Sequence, residues 1–574
     1  MKKKLIILGI NYGGHDTSAA IMIDGKLIAA CEEERFNLEK HTRAFPKNAI
    51  NECIKIAKVK KNQISRIGVG FDQKRFVEEK YIKQGLIIDN NIDLFVNDIE
   101  KIKRSLNIDN EIKSFFNHNF EFDIHPHHAC HLASSYFPSG FKKSFTISYD
   151  GKGESESSMV GIGSKNNIKI INRENHYPNS LGMIYEAITF YLGWKPKCDE
   201  GIVMGLAPYG NPKEKLPGKK STYIDIFRKI IKKKNNLGFE INKQWIAYHK
   251  FRDIWVSDKF YSLFGKKRNW KDKITKKHKN IAAALQLRLE EIVLSQLRYL
   301  NKKFKINYLC LSGGVGLNCS LNGKIENSKI FKKIFVTPAS GDAGISIGAC
   351  YLSHKKQKKN FVFEKHFNFY LGSKYNDRYI MKNLKKDKNI KFKNYKNNIY
   401  KETAKLLSQK KIIAWFQGGA EMGPRALGNR SILSQPYPSQ MKDYINKKVK
   451  FREYFRPFAP AVLKKYQNKF FDLEQDSHHM LIACKVKTNQ KKKIGAVVHV
   501  DNTCRVQTVD EDSNKKFYML ISEFYKKTKI PVLLNTSFNV KGQPIVNNPI
   551  QAINTLKNTK IDYLVINNFL VKKK

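Results

Sequence analysis

Residues 5–33 read LIILGINYGGHDTSAAIMIDGKLIAACEE, and this stretch decides the fold class. A glycine pair at Gly13 and a tight Asp-Gly dipeptide at Asp24 separate three apolar runs, a pattern that predicts strand, turn, strand, turn and strand. Further units that join a strand to a Gly or Asp turn recur at residues 143–163, 307–325 and 336–352. Recurring units of this kind predict an α/β protein with a two-lobed domain that holds a nucleotide between its lobes.

The bulk composition narrows the class of protein. The chain has 574 residues, 41% of them hydrophobic and 12% aromatic, which predicts two or more folded domains. The N-terminal apolar run has no cleavage site of small residues, and no apolar run is long enough to cross a bilayer. The nine cysteines are scattered without a CxxC pair. We therefore expect no membrane partner and a reduced, cytoplasmic location.

The net charge of +54 is extreme, because 105 Lys and Arg stand against 51 Asp and Glu. One interpretation is a compositional bias of the gene toward Lys, Asn and Ile. The other is a polyanionic partner such as nucleic acid, which a strongly positive protein attracts. Both interpretations stay open. The Lys-rich residues 212–280 predict a solvent-facing helical insertion that could face an acceptor, and residues 353–362 predict a linker.

A candidate metal site combines two histidines with two aspartates. His127 and His131, in HPHHACHLASSYF, are four residues apart and would share one face of a helix. Asp150 ends an apolar strand in SYDGKGE, and Asp342 lies between a strand and a helix in SGDAG. Two imidazoles and two carboxylates suit a divalent ion with mixed nitrogen and oxygen ligands. The competing interpretation makes both aspartates turn formers or helix caps.

Two glycine-rich turns could place chemistry at strand ends. His15 follows the first strand on a glycine turn, where a neutral imidazole could act as a general base toward a hydroxyl. In LSGGVGLN, backbone amides on a glycine turn that opens a helix could cradle phosphate, with Gly313, Gly314 and Asn318 as the candidate residues. A turn without a functional role is the alternative in both places.

The C-terminal part carries an arginine-rich stretch, GPRALGNRSIL at residues 423–433 and KFREYFRPFAP at residues 450–460. Guanidinium groups on a backbone shaped by Gly and Pro suit bidentate capture of phosphate or carboxylate. Two further segments, HVDNTCRVQTV and PVLLNTSFNVKGQPIV, add arginine and small polar side chains at strand ends that suit ligand binding. The alternative for the arginine-rich stretch is a basic surface strip. The alternative for PVLLNTSFNVKGQPIV is a turn whose polar side chains satisfy its own backbone.

These segments resemble, in order, the O-carbamoyltransferases of the nodulation-factor and antibiotic-tailoring type. The resemblance extends from about residue 6 to residue 571 and rests on GGHDTSAAI, CEEERFNLEKH, HHACHLASSYF, DGKGE, VMGLAPYG, LSGGVGLN, GDAG, GPRALGNRSIL, FRPFAP, HVDNTCRVQTV and LLNTSFNVKGQPIV. It implies two modules. Residues 1–360 would resemble the tRNA threonylcarbamoyl transferase subunit, with an actin/hexokinase-type fold and the metal and acceptor site. Residues 361–574 would form a YrdC-like α/β domain with the carbamoyl phosphate and ATP site.

The resemblance also implies a reaction and a role for each matching residue. The C-terminal site would make carbamoyl-adenylate from carbamoyl phosphate and ATP, to which Mg²⁺ could be bound. The N-terminal site would pass the carbamoyl group to a hydroxyl acceptor with the help of a divalent metal, Fe²⁺ in the characterised case. The metal ligands would be His127, His131, Asp150 and Asp342, with His15 as base and Lys40 as a basic contact to the carbamoyl or phosphate portion. The phosphate-binding positions would be Arg425, Lys450, Arg456 and Arg505, beside Asn535 and Ser537.

The chain departs from the family pattern at several positions that face ligands. Ile202 stands where Lys is expected, Gly419 where Arg is expected and Met422 where Phe is expected, and HVDGTARVQ becomes HVDNTCRVQ with Asn502 and Cys504. A nucleic-acid-binding protein with decayed enzymatic sites is therefore the alternative function. The acceptor and the oligomeric state are not encoded in any motif that we identify.

Overall fold

The computed structural model of the chain describes residues 4–251, 253–365 and 368–574. Their contacts divide the chain into two compact units. The first unit contains the segment up to residue 27, residues 43–46 and residues 58–365, and the second contains residues 28–42, 47–57 and the segment from residue 366 onward. The two short segments of the second unit lie within residues 1–360, the range predicted for the N-terminal domain.

The opening stretch folds as predicted, into three consecutive strands. The turn between the second and third strands has positive φ at both central residues, 48° at Asp24 and 84° at Gly25, as a tight hairpin turn requires. The strands of the first sheet are β1 (Ile6–Asn11), β2 (Ser18–Ile23), β3 (Lys26–Glu32), β4 (Arg66–Val69) and β5 (Glu121–Ile124). Their order in the sheet is β3-β2-β1-β4-β5.

A second sheet repeats this topology. After β6 (Lys143–Tyr149), β7 (Ser158–Ser164) and β8 (Asn167–Asn172) come a separate hairpin of β9 (Ile231–Lys233) and β10 (Phe239–Ile241), and then β11 (Tyr308–Ser312) and β12 (Lys333–Val336). The sheet order β8-β7-β6-β11-β12 matches that of the first sheet. In each sheet the central strand pairs antiparallel with the next strand and parallel with a later one. This duplication confirms the two-lobed α/β fold of the actin/hexokinase type.

Two buried helices, α7 (His127–Ser139) and α14 (Ile345–Gln357), pack against these sheets and against each other. Gly348 lies so close to the neighbouring helix that a Cβ there would be 2.0 Å from the Cys130 carbonyl oxygen, and a Cβ at Gly9 would be 1.9 Å from the Ser346 carbonyl oxygen. The α-helices up to this point are α1 (Glu34–Asn37), α2 (Lys47–Ala57), α3 (Gln73–Val77), α4 (Ile92–Asn97), α5 (Ile99–Leu106), α6 (Ile108–Phe116), α7 (His127–Ser139), α8 (Leu181–Tyr191), α9 (Glu200–Leu206), α10 (Tyr223–Ile230), α11 (Asp258–Phe264), α12 (Lys276–Phe304), α13 (Cys319–Asn327) and α14 (Ile345–Gln357). Close packing of α7 and α14 fixes the backbone on which the metal-site candidates lie.

The prediction of a solvent-facing helical insertion at residues 212–280 is wrong. The segment mixes α10, the β9–β10 hairpin and α11, and it buries aromatic side chains such as Phe227 (0% exposed) and Phe260 (1% exposed). Lysines dominate its composition, but Tyr223, Phe227 and Ile230 recur at helical spacing and form a buried face. The predicted linker at residues 353–362 is corrected in its first half, because α14 continues to Gln357, whereas residues 358–362 lie outside the helices and strands.

The second unit contains a mixed nine-stranded sheet. Its strands are β13 (Ile390–Asn394), β14 (Ile413–Phe416), β15 (Arg430–Ser434), β16 (Ala459–Leu463), β17 (Ile482–Lys485), β18 (Thr503–Val509), β19 (Val532–Ser537), β20 (Tyr563–Ile566) and β21 (Phe569–Lys573), in the order β13-β21-β20-β14-β15-β19-β16-β18-β17. Its helices are α15 (Asp377–Lys386), α16 (Ile399–Ser408), α17 (Gln440–Ile445), α18 (Gln467–Phe470), α19 (Glu511–Thr528) and α20 (Pro549–Lys557). A core that includes Trp415, Leu433 and Phe517 holds α16 and α19 on the sheet. The more specific prediction of a YrdC-like domain stays a prediction.

Candidate functional site

The first unit brings the four predicted metal-site residues together. His127 and His131 lie one turn apart on α7, Asp150 directly follows β6, and Asp342 begins the 3-10 turn that leads into α14. All four are buried, and one ligand atom from each lies within 4.8 Å of the others. The repeated sheet topology explains the convergence, because the end of β6 and the starts of α7 and α14 meet on one side of the duplicated core.

The imidazoles face the carboxylates directly. The Nε2 atoms of His127 and His131 are 3.1 Å apart and lie 3.0 and 3.2 Å from Asp150 Oδ2. Each of these Nε2 atoms is 3.7 Å from Asp342 Oδ1. The donors are therefore two nitrogens and two carboxylate oxygens around one point, a set that suits a divalent transition-metal ion.

The electrostatics of this cluster favour positive charge at its centre. Burial by itself would lower the pKa of His131, but its hydrogen bonds to Asp150 and Asp342 prevail and raise that pKa to about 9. Burial by itself would raise the pKa of Asp150, but the hydrogen bonds and charges of the two imidazoles prevail and hold this pKa well below its usual range. Two buried carboxylates thus require either protons on the imidazoles or a cation between the four side chains.

The residues present fit a metal ion, although their outer support is unusual. The Nδ1 atoms of His127 and His131 are buried, and neither has a hydrogen-bond partner among the residues that the structure describes. Most metal-binding histidines orient through such a bond. Here ring packing orients the imidazoles. The ring centres of His127 and His131 are 4.7 Å apart with the rings edge to face, and the ring centre of Phe71 is 6.0 Å from that of His127.

His15 lies beside this cluster, at the end of β1. Its Nδ1 is 2.8 Å from Asp16 Oδ2, and its Nε2 is 3.6 Å from Asp342 Oδ2. Burial opposes protonation, but the carboxylates of Asp342 and Asp16 raise the pKa of His15 to about 9. Positive charge bound by Asp342 would weaken this effect and favour the neutral imidazole that a general base needs.

Two glutamates at this site were missed by sequence reasoning. Glu154 Oε1 accepts hydrogen bonds from the amides of His127 and Asp72, and so fixes the start of α7. Glu186, on α8, is buried, and its Oε2 has no hydrogen-bond partner in the described part of the chain. Burial raises the pKa of Glu186, and its neighbours include His15 and Asp342. The available signal was a single carboxylate inside the apolar helix LGMIYEAITFY.

The predicted phosphate cradle at residues 313–318 is occupied by structural contacts. The Gly314 amide donates to Asp150 Oδ1 at 2.8 Å, which orients that carboxylate. Asn318 caps α13 by accepting from the Leu321 amide, and its Nδ2 donates to Gln286. Gly313 has a φ of 82°, and a Cβ there would be 2.2 Å from the Tyr149 carbonyl oxygen. Phosphate binding by these residues stays a prediction.

In the second unit, the arginine-rich stretch contains one arginine with a structural role. Arg430 is fully buried, its guanidinium donates to the carbonyls of Gln417 and Ser373, and it stacks at 3.6 Å on the ring of Phe416. Glu421 Oε1 accepts from three backbone amides of the same loop, those of Leu427, Asn429 and Arg430. These hydrogen bonds hold the backbone of the loop before β15, which carries the partly buried Arg425.

The same loop is fixed by the short N-terminal segment of the second unit. The Gly423 amide donates to Glu32 Oε1 at 2.6 Å, and the Gly423 carbonyl accepts from Arg35 Nη2 at 2.8 Å. Arg35 and Glu32 also pair with each other at 3.1 Å. Both residues belong to CEEERFN, so this motif positions the arginine-rich loop.

Several cations near this loop repel one another. Burial lowers the pKa of Lys450 well below its usual range, and the positive charges of Arg452, Arg456 and Lys40 lower it further. Burial and the charges of Arg456 and Arg505 act on the pKa of Arg452 in the same way. The predicted residues Lys40, Lys450, Arg456 and Arg505 thus lie in one cationic group, to which the structure adds Arg452. A bound polyanion would relieve this repulsion.

The polar residues beside this group have defined partners. Lys450 Nζ donates to the carbonyls of Ser537 and Asn539, each at 2.8 Å, and to Asn539 Oδ1 at 2.7 Å. A direct phosphate contact by Lys450 therefore requires the exchange of one of these bonds. Asn535 Nδ2 donates to the Ala426 carbonyl at 3.1 Å, so Asn535 supports the arginine-rich loop.

Three departures from the family pattern have a structural explanation. A Cβ at Gly419 would lie 2.5 Å from the Tyr370 carbonyl oxygen, so this backbone leaves no room for the expected arginine. Asn502, which stands where the family pattern has glycine, has a φ of 63°, and Asn tolerates this left-handed conformation better than most residues. Ile202 is 3% exposed in the apolar face of α9, where a lysine would need a partner.

Comparison with known protein families gives two matches that together span most of the chain. Residues 6–351 match the family described as Carbamoyltransferase N-terminus, and residues 404–573 match Carbamoyltransferase C-terminus. Nodulation protein NolNO of Sinorhizobium fredii is 34% identical over 571 residues, which cover 98% of this chain and 79% of that protein. Nodulation protein NolO of Bradyrhizobium diazoefficiens is 35% identical over 453 residues, 78% of this chain and 79% of that protein.

Solved structures offer more distant similarity. Component A of the Acidaminococcus fermentans (R)-2-hydroxyglutaryl-CoA dehydratase is 13% identical and covers 61% of this chain and 98% of its own, with a TM-score of 0.34. Full-length HypF in the phosphate- and nucleotide-bound form is 13% identical and covers 63% of this chain and 57% of its own, with a TM-score of 0.31. TM-scores this low indicate neither a ligand nor an activity for this chain. Among the described residues, no helix is both long and apolar enough to span a bilayer.

Proposed function

Since the chain belongs to the carbamoyltransferase family and is a transferase enzyme, we propose that it is an ATP-dependent O-carbamoyltransferase. The second unit joins the carbamoyl group of carbamoyl phosphate to the AMP portion of ATP. The first unit transfers that group from carbamoyl-adenylate to an acceptor hydroxyl. The observation that carries the proposal is the buried cluster of two histidines and two aspartates, with His15 3.6 Å from one of its carboxylates.

In the first step, the cations of the second unit hold two phosphorylated substrates. Carbamoyl phosphate and ATP repel each other, and fixed positive charge screens that repulsion and stabilises charge on the phosphoryl oxygens. Arg425, Lys450, Arg456 and Arg505 supply this charge, Lys40 contacts the carbamoyl or phosphate portion, and Mg²⁺ accompanies ATP. Water cleaves carbamoyl phosphate into carbamate and inorganic phosphate, and a carbamate oxygen then attacks the α-phosphorus of ATP as the bond to pyrophosphate breaks. AMP remains attached to the carbamoyl group as the leaving group for the next step.

In the second step, the acceptor oxygen attacks the carbamoyl carbon. The bond between that carbon and the phosphate oxygen of AMP breaks, and the acceptor proton passes to His15 Nε2. A divalent ion held by His127, His131, Asp150 and Asp342 would polarise the carbonyl, and Fe²⁺ suits this mixed donor set. Glu154 fixes the helix start that carries His127, and the Gly314 amide orients Asp150.

The acceptor is a sugar, a natural product or a hydroxymethylated nucleobase. The charge of +54 keeps a polynucleotide acceptor in the test panel. The alternative function, a nucleic-acid-binding protein with decayed sites, has no support from the matched families. It predicts salt-dependent polyanion binding that survives loss of His15 and Arg425.

The test has two readouts. Pyrophosphate release from ATP should require carbamoyl phosphate, and mass spectrometry of acceptor mixtures should detect the gain of one carbamoyl group. If neither AMP nor pyrophosphate forms with carbamoyl phosphate, metal and a broad acceptor panel, the proposal is wrong.

A further inference from the structure

A group of lysines gathers around one aromatic ring in the first unit, outside the metal cluster. The Nζ atoms of Lys152, Lys101 and Lys80 lie 5.4, 5.6 and 5.7 Å from the ring centre of Phe76. Lys152 also lies 4.9 Å from the ring centre of Tyr177. We call these three residues, with Lys197, the lysine cluster. Such a convergence of ammonium groups is costly unless negative charge is supplied.

The protein supplies little negative charge here. Asp98 Oδ2 is 3.4 Å from Lys80 Nζ and 3.9 Å from Lys101 Nζ, and it also accepts from the Tyr81 hydroxyl at 2.7 Å. In the described ranges, the ammonium groups of Lys152 and Lys197 form no ion pair within 4.0 Å. The three ammonium groups around Phe76 therefore have Asp98, which is 3% exposed, as their one ion-pair partner among the described residues.

The pKa values of Lys101 and Lys80 agree with this excess of positive over negative charge. Burial and repulsion from Lys80 lower the pKa of Lys101 to about 7, although Asp98 opposes the change. Burial lowers the pKa of Lys80 as well, and Lys197 contributes to the shift. A structural ion-pair network would instead have raised these pKa values.

The cluster adjoins the proposed transfer site. Lys152 follows Asp150 by two residues in DGKGE. The ring centre of Phe71 lies 5.2 Å from that of Phe76 and 6.0 Å from that of His127. Lys197 is close enough to His15 and Glu186 that its charge acts on both groups. The lysine cluster and the metal cluster thus line neighbouring parts of the first unit.

We propose that the lysine cluster binds an oxyanion group, a phosphate monoester or a carboxylate, carried by the acceptor itself. This rests on the proposed function, because the anion would anchor the acceptor while its hydroxyl reaches His15. The ammonium groups pair with the oxyanion, and the Phe76 and Tyr177 rings support their stems. The donor phosphates have their own cationic group in the second unit, so the lysine cluster is free to select the acceptor.

Lysine footprinting tests the site without any turnover. The full chain is treated with an amine-acetylating reagent, and modification of each lysine is measured by mass spectrometry. Inorganic phosphate, acetate, glucose 6-phosphate, glucose and AMP are the probes. We expect phosphate or acetate, and the phosphorylated sugar, to slow labelling of Lys101 and Lys152 at least fivefold, and glucose to have no effect. Lys103 is the matched control, since it lies on the same helix, exposed and paired with Glu100.

The outcomes separate the sources of the anion. Protection by phosphate but not acetate indicates a phosphate monoester, and the reverse indicates a carboxylate. Stronger protection by AMP than by phosphate or glucose 6-phosphate assigns the cluster to the donor nucleotide and overturns the proposal. Equal labelling with and without every anion also overturns it.

Substitution then links the site to transfer. Lys152→Met and Lys101→Met should raise KM for an oxyanion-bearing acceptor at least tenfold, with kcat and carbamoyl phosphate-dependent pyrophosphate release within twofold of the wild-type values. Lys103→Met should change none of these. If the wild-type protein releases no pyrophosphate, the proposed function fails while the footprint still decides the anion site. If acceptor KM is unchanged in both variants, the proposal for the acceptor is wrong.

Discussion

His15 Nε2 lies 3.6 Å from Asp342 Oδ2, while the other oxygen of the same carboxylate faces His127 and His131. One aspartate therefore connects the proposed base to the proposed metal ligands. The two roles are separable by experiment, because replacing His15 leaves the four candidate ligands intact, whereas replacing Asp342 removes one of them.

Replacing the base should stop transfer and spare activation. His15→Ala is expected to lower kcat for carbamoyl transfer by about 10²–10⁴, the usual contribution of a positioned acid or base. Pyrophosphate release, measured with carbamoyl phosphate present, should stay within twofold of the wild-type rate. His176→Ala, at an exposed histidine outside the cluster, is the control. Unchanged transfer by His15→Ala would remove this residue from the mechanism.

Replacing a carboxylate of the cluster should weaken metal binding. Asp342→Asn keeps the shape but removes a charged ligand, so affinity for Fe²⁺ or Co²⁺ should fall at least about tenfold. Equilibrium dialysis with metal analysis gives the value directly. Asp258→Asn, at an exposed aspartate on α11, should bind metal like the wild-type protein. Equal affinity in both variants would show that the cluster is not the metal site.

Metal removal should separate the two steps. After chelation and return of Mg²⁺ alone, pyrophosphate release should recover, because activation takes place in the second unit. Transfer should recover only when a transition metal such as Fe²⁺ is added, since imidazole ligands favour it over Mg²⁺. Carbamoylated product is measured by mass spectrometry at each stage. Full transfer activity with Mg²⁺ alone would contradict a transition-metal role for the histidine and aspartate cluster.

The sequence predicts the first unit well where the signal is local. The strands around Asp24 and the i,i+4 pair of His127 and His131 depend on neighbouring residues, and both are as expected. The buried partner Glu186 was missed because its meaning depends on residues far along the chain. Lys40 shows the same limit, since sequence order assigns it to the N-terminal domain whereas its segment folds with the second unit.

Composition was a poor guide to burial. Counting lysines at residues 212–280 predicted a solvated insertion, but each helix there needs only one apolar face to form a core. In the arginine-rich stretch, residue type alone likewise did not distinguish a buried arginine from a more accessible one. Arg425 and Arg430 have the same side chain in one motif, but only the structure shows that Arg430 is enclosed by carbonyl groups.

The two arginines should therefore respond differently to the same substitution. Arg430→Met leaves buried carbonyls without a donor and should lower the free energy of unfolding of the second unit by about 1–3 kcal/mol, measured by urea denaturation. Arg425→Met should leave stability within about 0.5 kcal/mol and reduce pyrophosphate release about tenfold or more, as expected for loss of a charged hydrogen bond to phosphate. The reverse pattern would exchange the two roles.

Gly419, where the family pattern has arginine, should not accept a side chain. A Cβ at this position would be 2.5 Å from the Tyr370 carbonyl oxygen and 3.1 Å from the Gly372 carbonyl oxygen, so the backbone must shift. Gly419→Ala is expected to destabilise the protein by about 1–3 kcal/mol, and Gly419→Arg should not increase pyrophosphate release. Gly201→Ala is the matched control, because a Cβ there meets no atom within 4 Å and the helix should gain about 0.5–1 kcal/mol. A stable Gly419→Arg variant with faster pyrophosphate release would contradict this expectation. It would show that the fold still accommodates the arginine that the family pattern has at this position.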